Sequence, residues 1–494
     1  MITNLENGPQ RATNWPIFRD LATIVVLFLL TIYVVYFTSP VIARFFFLII
    51  LAFALVSRKD YLWFVYFFVL AEGPGHLFAD FSGASQYRLP MYTIVSGMSF
   101  TPIDFFVVLI LIKALVRGRK VKLRLEKPLL LVLAYIIFSI SLSAVLFRTS
   151  IDVIATNLRW LFCYSIIISF SALVYRTREI HRFVILLSPF VFFVFFTQVY
   201  YLTTGSEFVN LFDPGFRGVT LNTLTGSLRP VMGGGLIVFA SYMYTILLMA
   251  DGNFRLPKVY LYTILIVAFL SVFLSATRLW FVIFAFIFVG YTVVSRNKVA
   301  STLGIASVSL VLISLLIFFN IIQMDFLVAN SWGRVQQVFD IAKGNVYSVD
   351  TAMNRLVNQL PVLLAIIRQN PFIGYGFSYI TMYYYDSDLG FLNTILMFGI
   401  VGFGFLIFFF IRLFAVLISS IKRVSARNSV KIPLKIMVVV WLGILIGYFS
   451  TWEFFTRHFN KVIFVSLLIA FVEFLVMRAD KDEIRIQNLR TTSL

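Results

Sequence analysis

Residues 261–294 read LYTILIVAFLSVFLSATRLWFVIFAFIFVGYTVV, two long apolar runs with a single arginine, Arg278, between them. Each run approaches the roughly 17–25 residues that an α-helix needs to cross a bilayer. Similar runs recur along the whole chain of 494 residues, which is 60% hydrophobic and only 13% charged, with a mean hydropathy of +0.94. A soluble fold this apolar has no polar surface to cover its core, so the composition predicts a polytopic membrane protein.

The apolar runs predict an all-α protein with about fourteen transmembrane helices in one integral membrane domain, residues 1–494. The predicted spans lie near 21–37, 41–56, 61–72, 102–116, 129–147, 160–175, 183–203, 231–250, 259–277, 279–294, 302–320, 391–414, 433–450 and 462–477. The third span is short, and we expect it to begin or end inside the bundle.

Alternate loops differ in charge, which predicts the orientation of the chain. Lys and Arg are concentrated in one set of loops, such as 117–127 and 421–431, and the positive-inside rule assigns this set to the cytoplasm. Both termini are then cytoplasmic, and the expected location is the inner membrane of a bacterium. The net charge of +19 reflects these inner loops and does not indicate nucleic acid as a partner. The longest outer segment, 321–390, is predicted to be a large, partly helical periplasmic loop within the membrane domain.

Part of this loop has the pattern of an amphipathic helix that ends at Asn370-Pro371. Ser348 or Asp350 is the expected N-cap, and a kink is expected near Pro361. The apolar residues at helical spacing are Leu356, Leu360, Leu363, Leu364 and Ile367.

Cysteine and histidine residues give no sign of a metal site. Cys163 is the only cysteine, and His76, His181 and His458 lack ligand spacing. We therefore predict neither a metal nor another cofactor.

Arginine dominates the basic residues that the topology places on the outer face. Only two of the thirteen, Lys343 and Lys461, are lysines. The planar guanidinium matches phosphate oxygens with paired donors, so the bias predicts an anionic, phosphate-bearing ligand. The alternative is that these side chains extend to lipid headgroups. The arginines are Arg44, Arg88, Arg148, Arg159, Arg217, Arg229, Arg278, Arg334, Arg355, Arg368 and Arg457.

Arg278 is the most informative of these residues, because SATR is predicted to form a tight outer turn between two helices. A lipid-facing arginine at that depth is costly, so we expect its side chain to face a polar cavity. Ser275 and Thr277 can bond to freed backbone groups or to a ligand. A second arginine pair, Arg217 and Arg229, lies in the loop DPGFRGVTLNTLTGSLRP, whose backbone N–H groups can help to bind an anion.

Carboxylates and tyrosines precede the span near 391–414. Asp388 is either a helix N-cap or a general base for a sugar hydroxyl. Asp386 and Tyr384 lie beside it in the run YITMYYYDSD. The tyrosines form either an interfacial aromatic belt or a surface on which sugar rings stack.

Three segments together resemble the superfamily of O-antigen polymerases and ligases, the Wzy and WaaL proteins. They are FRGVTLNTLTGSLRP, LSATRLWFVIFAF, and the stretch from RQNPFIGYGFS to DLGFLNTILMFGIVGFG. The match covers roughly residues 210–410, and the N-terminal half matches only in hydropathy.

The resemblance implies a glycosyltransferase of the GT-C type that takes undecaprenyl-diphosphate-linked glycan at the periplasmic face without a metal. Arg217 and Arg278 would bind the diphosphate, Asp388 would deprotonate the acceptor, and the remaining candidates would support the substrate. These supporting candidates are Arg159, Arg229, Arg355, Asp386 and Tyr384. The ligase branch has His-Asn where this chain reads Asp388-Leu389-Gly390, which favours the polymerase branch.

The resulting prediction is a polymerase of polysaccharide repeat units, with lipid-linked donor and acceptor, the bilayer, and a chain-length regulator and flippase as partners. The nearest alternative is an O-antigen ligase that transfers glycan to lipid A-core. A flippase for lipid-linked oligosaccharide is the alternative of another class, but it should have two related halves and polar residues in the first spans. A peptidoglycan polymerase of the SEDS class is less favoured, because its motifs are absent.

Overall fold

A computed structural model describes residues 15–72, 92–95, 98–150, 154, 161–204, 219–221, 228–230, 234–251, 257–275, 278–295, 343, 354–384, 389–425, 428–448 and 459–491. Within these residues the chain is an all-α membrane protein with two short pairs of antiparallel strands. One pair is β1 Tyr92–Val95 with β2 Met98–Phe100, and the other is β3 Val219–Leu221 with β4 Leu228–Pro230.

The helices follow the apolar runs of the sequence closely. Those of the first half are α1 Trp15–Phe37, α2 Pro40–Val56, α3 Asp60–Glu72, α4 Pro102–Arg117, α5 Glu126–Leu146, a 3₁₀ turn Phe162–Tyr164, α6 Ser165–Leu173 and α7 Thr177–Thr204. Those of the second half are α8 Gly235–Ala250, α9 Lys258–Leu274, α10 Arg278–Val294, a π turn Asn354–Gln359, α11 Leu360–Gln369, α12 Tyr379–Tyr384, α13 Gly390–Arg423, α14 Lys431–Tyr448 and α15 Phe459–Thr491.

Thirteen of the fourteen predicted spans coincide with described helices, and the span near 302–320 lies outside the described residues. Within the part of the chain that the structure describes, six stretches are long and apolar enough to cross a membrane by length and composition. They are Ile17–Val35, Glu126–Leu146, Thr177–Tyr200, Gly390–Arg423, Lys431–Tyr448 and Lys461–Lys481. The protein is therefore a multi-pass membrane protein, and the number fourteen stays a prediction.

Three helices form the centre of the bundle and pack against one another: α3, α8 and α15. Every residue of α3 is buried, and α8 is buried from Gly235 to Leu248. At thirteen residues, α3 is about 20 Å long, which is shorter than the roughly 30 Å hydrocarbon core of a bilayer. Its short length and complete burial agree with the prediction that this span begins or ends inside the bundle.

Ion pairs join the helices at one end of the bundle, which we call the ionic end. Lys59 Nζ lies 2.6 Å from Asp20 Oδ1, and Arg182 Nη1 lies 3.2 Å from Asp20 Oδ2. Lys113 Nζ lies 2.6 Å from Asp60 Oδ1. These contacts connect the starts of α1, α3 and α7 with the end of α4.

A second group of contacts brings α8 and α15 to the same end. Arg478 Nη1 donates to Asp251 Oδ2 at 2.6 Å, and His181 Nε2 lies 3.4 Å from the same oxygen. Burial disfavours the charged Asp251 carboxylate, but the hydrogen bonds and positive charges of His181 and Arg478 outweigh it and hold its pKa well below the usual range. The ionic end is thus where the loops predicted to be cytoplasmic meet.

The opposite end, which we call the loop end, holds the segments predicted to lie outside. Glu72 ends α3 there, and its Oε1 accepts a hydrogen bond of 2.8 Å from the backbone N–H of Leu236. This carboxylate satisfies a free donor at the start of α8 and opposes the helix dipole. Both strand pairs precede helices that begin at this end.

The predicted amphipathic helix is confirmed over α11. The π turn Asn354–Gln359 leads directly into it, and Pro361 occupies its first turn, where a missing N–H costs least. Leu363 and Ile367 are buried and belong to an apolar cluster with residues of α13. The proposed caps Ser348 and Asp350 lie outside the described residues.

Candidate functional site at the loop end

The long helix α13 is broken near its start. Gly399 has φ 63° and ψ −175°, a combination that is essentially restricted to glycine. The span predicted near 391–414 is therefore a helix with a break inside it, and its sequence pattern did not predict the break. Only glycine fits at the break, because the carbonyl group of Phe372 occupies the space that a Cβ on residue 399 would need.

Residues 370–378 cross the break and replace the hydrogen bonds that the helix loses. The N–H groups of Tyr375 and Gly376 donate to the carbonyls of Leu396 and Met397 at 2.8 and 2.6 Å. In the reverse direction, the N–H groups that follow Gly399, at residues 400 and 401, donate to the carbonyls of residues 371 and 372 at 2.8 and 3.2 Å. Irregular backbone is tolerated at membrane depth only where protein satisfies it in this way.

The motif Asn-Pro-x-x-Gly-x-Gly is what allows this close approach. Gly374 has φ 76°, and a Cβ there would lie 2.5 Å from the backbone N of Gly399. Asn370 Nδ2 donates to the Gly374 carbonyl at 2.6 Å and closes the turn. We call residues 370–378 together with the break at Gly399 the glycine clamp, and its motif residues are explained by backbone geometry.

Helix α5 holds the clamp from the other side. Tyr135 OH donates to the Phe398 carbonyl at 2.8 Å, and Ser143 Oγ donates to the Tyr375 carbonyl at 3.2 Å. Tyr375 OH donates in turn to the Ile366 carbonyl at the end of α11 at 3.0 Å. The clamp is thereby fixed to both α5 and α11.

The predicted turn at SATR is confirmed. Helix α9 ends at Leu274, and Arg278 is the first residue of α10. Ser275 Oγ donates to the Val272 carbonyl at 2.8 Å, so this serine satisfies freed backbone as expected. Thr277 lies outside the described residues.

Helices α10 and α14 pack antiparallel along most of their length. A Cβ on Gly443 would lie 3.1 Å from the side chain of Ile287 and 3.5 Å from that of Ile283, whereas Gly290 packs against Val439, farther from the loop end. Five residues separate Ile283 from the start of α10, and five separate Gly443 from the end of α14.

This antiparallel packing places the start of α10 about one helical turn or less from Tyr448 along the helix axis. Tyr448 OH donates a short hydrogen bond to Thr394 Oγ1, which lies in the part of α13 before the break. Thr394 is buried, and so is the neighbouring Asn393. The start of α10, the end of α14 and the first part of α13 therefore lie beside one another, next to the glycine clamp.

Exposed tyrosine rings lie directly after the clamp, on the short helix α12. Tyr379 shares a hydrogen bond of 2.7 Å with Ser150 Oγ, and half of its side chain is exposed. Tyr383 is 81% exposed and meets the ring of Tyr384 edge-on, with centroids 4.9 Å apart. These rings present flat apolar faces to the medium at the loop end.

The structure describes only some of the other predicted site residues. Arg229 lies in β4 opposite Thr220 of β3, within a segment predicted as a loop. Arg355 lies in the π turn before α11. The candidates outside the described residues are Arg159, Arg217, Asp386 and Asp388.

The described part of the chain holds no group of three or more His, Cys, Asp or Glu side chains that could bind a metal ion. Cys163 is buried. The sequence analysis did not predict two features of the loop end. They are the break at Gly399 and the carboxylate of Glu72 at the start of α8. The pair Gly399 and Gly402 in an apolar run was the only signal of the break, and small residues in membrane helices usually indicate packing.

No protein-family model matches the sequence, and no curated protein matches it.

Proposed function

We propose that the protein is an integral-membrane glycosyltransferase of the GT-C type that polymerises undecaprenyl-diphosphate-linked repeat units at the periplasmic face. Its location is the inner membrane of a bacterium, with both termini in the cytoplasm. The observation that carries the proposal is the position of Arg278, which starts a helix at the loop end beside the end of α14, where Tyr448 bonds to Thr394 of α13. The resemblance of three segments to O-antigen polymerases supplies the reaction.

In the proposed reaction, a hydroxyl oxygen of the acceptor repeat bonds to the anomeric carbon of the donor glycan. Asp388 takes the hydroxyl proton, and the bond between the anomeric carbon and the diphosphate oxygen breaks. Undecaprenyl diphosphate leaves with the electron pair. Arg278 and Arg217 stabilise the negative charge that develops on it.

The start of α10 suits this role for a second reason. The first N–H groups of a helix have no partner within the helix, and the helix dipole is positive there. A phosphate at this point gains both the backbone donors and the guanidinium of Arg278. The turn between α9 and α10 is short, so the donors are held without a flexible loop.

The exposed rings of α12 support the proposal on the sugar side. Aromatic faces pack against sugar rings, and Tyr383 and Tyr384 lie only a few residues before the start of α13. We assign substrate contacts to Tyr384, Asp386 and Arg229, and further contacts with the anionic part of the substrate to Arg355 and Arg159.

Arg278→Lys tests the assignment most directly. It keeps the positive charge but removes the planar pair of donors, so we expect normal membrane levels and loss of chain lengthening. Arg368→Lys, at an exposed position of α11, is the matched control and should leave polymer length unchanged. An unchanged length distribution of the polymer with Arg278→Ala would refute the role of this arginine.

Lipid-linked glycan extracted from a deletion strain distinguishes the proposal from its alternatives. A polymerase predicts accumulation of single repeats on the lipid, whereas a ligase predicts long chains that are not attached to lipid A-core. The purified protein with lipid-linked repeats in detergent then provides the second test. A new glycosidic bond supports the glycosyltransferase, and its absence with an active lipid-linked substrate supports a flippase.

A further inference from the structure

Two arginine side chains share one tyrosine ring at the ionic end. The guanidinium carbon of Arg119 lies 6.0 Å from the ring centroid of Tyr175, and that of Arg176 lies 5.6 Å from it. The two guanidinium carbons are therefore within about 12 Å of each other. Both arginine side chains are exposed, and the Tyr175 ring that they share is half-buried.

The fold holds these residues in place through the backbone. Gly118 ends α4 against α6, and the N–H of Arg119 donates to the Ala172 carbonyl at 3.1 Å. Tyr175 and Arg176 follow directly in the connection from α6 to α7. The ends of two helices thus set the spacing of the two arginines.

A third basic side chain among the described residues lies near this pair. Lys481 of α15 is close enough to feel the charge of Arg119. The carboxylate of Glu179 accepts a hydrogen bond of 3.3 Å from the backbone N–H of Arg176, and Asp60 lies close to the same carboxylate. Arg119 and Lys481 therefore repel each other, and an additional anion beside them would reduce that repulsion.

The exposed surface next to the arginines is apolar. Ile112, Leu115 and Val116 near the end of α4 are 49%, 73% and 76% exposed. They come immediately before Arg117 and only a few residues before Arg119. An apolar strip that leads into a group of arginines at the end of a membrane helix matches the two halves of a phospholipid, its acyl chains and its phosphate.

We propose that this end of the protein has a binding site for an anionic phospholipid, with the phosphate bound by Arg119 and Arg176. Tyr175 packs against both guanidiniums, Lys481 adds a third positive charge, and the acyl chains lie along the exposed strip of α4. Clusters of basic residues between membrane helices commonly bind anionic headgroups. The site is separate from the loop end and does not depend on the proposed glycosyltransferase activity.

Binding of phosphatidylglycerol to the purified full-length protein, measured by native mass spectrometry, tests the proposal. Each basic residue near a lipid phosphate contributes about five-fold to affinity, so the double variant R119Q/R176Q should bind this lipid about 30-fold more weakly. The matched control R58Q/K258Q removes the same charge from exposed positions of the ionic end and should retain binding. Phosphatidylcholine, which has no net charge, should not bind at this site.

Two further variants separate a specific site from general attraction. Tyr175→Leu keeps all the charges but removes the ring that packs against both arginines, so we expect at least a few-fold loss of affinity. Glycerol phosphate, which lacks acyl chains, should not compete with the lipid. Two results would overturn the proposal. One is an equal loss of lipid affinity in R119Q/R176Q and R58Q/K258Q. The other is no binding of phosphatidylglycerol to the unmodified protein, which would favour an acidic protein partner.

Discussion

Replacing Gly399 with alanine should disrupt the glycine clamp. The alanine Cβ would overlap the Phe372 carbonyl, so residues 370–378 must move away from the break. Four backbone hydrogen bonds of 2.6–3.2 Å cross it, and each contributes about 0.5–1.5 kcal/mol net. The backbone conformation of residue 399 adds about 1–3 kcal/mol of strain for a residue with a side chain. Together these effects destabilise the protein by about 3 kcal/mol at the least.

Thermal unfolding in detergent provides the assay. An unfolding entropy of about 2.1 cal/mol/K per residue gives roughly 1 kcal/mol/K for a chain of this length, so the Tm should fall by about 3 °C or more. Gly404→Ala is the matched control, because residue 404 lies in the same helix and a Cβ there meets nothing within 4 Å. Alanine is the better helix former, so this variant should raise the Tm by up to about 1 °C.

The comparison of the two variants tests whether the glycine clamp stabilises the protein. A Tm for Gly399→Ala equal to that of Gly404→Ala would show that the clamp contributes nothing to stability. In the proposed function, Gly399→Ala should also reduce polymer length at a temperature where the protein is still folded, because the first part of α13 loses its support from α5.

Three other variants, with one control, test particular contacts by thermal unfolding. Asp251→Asn leaves a largely buried arginine without this counter-ion and should cost about 3 kcal/mol at pH 7. Since the pKa of Asp251 is lowered in the folded protein, its stabilisation is complete above about pH 4, and the difference between variant and wild type should shrink only as the pH falls below that value. Tyr135→Phe leaves the Phe398 carbonyl without its donor and should cost about 1–2 kcal/mol, whereas Tyr383→Phe, at an exposed ring, should cost nothing measurable. Arg148 has φ 46°, and Arg148→Gly should stabilise the fold by about 0.5–1 kcal/mol; a lower Tm would show that its side chain supports the fold.

Most of the helices could be predicted from the sequence, because a membrane helix depends on a local run of apolar residues. The end of α11 at Asn370-Pro371 could also be predicted, because a proline disfavours the helical conformation of the residue before it. The tight turn before Arg278 followed from two apolar runs with almost nothing between them. The charge of the loops likewise predicted which ends of the helices meet, and the ion pairs of the ionic end agree with it.

The tertiary structure alone decided which partners these local elements have. Glu473 accepts hydrogen bonds from the N–H groups of Arg124 and Leu125, almost 350 residues away, and no local pattern predicts that pairing. The break at Gly399 is of the same kind. A glycine in an apolar run is compatible with a continuous helix, and it becomes a break only when residues 370–378 supply the hydrogen bonds that the helix gives up.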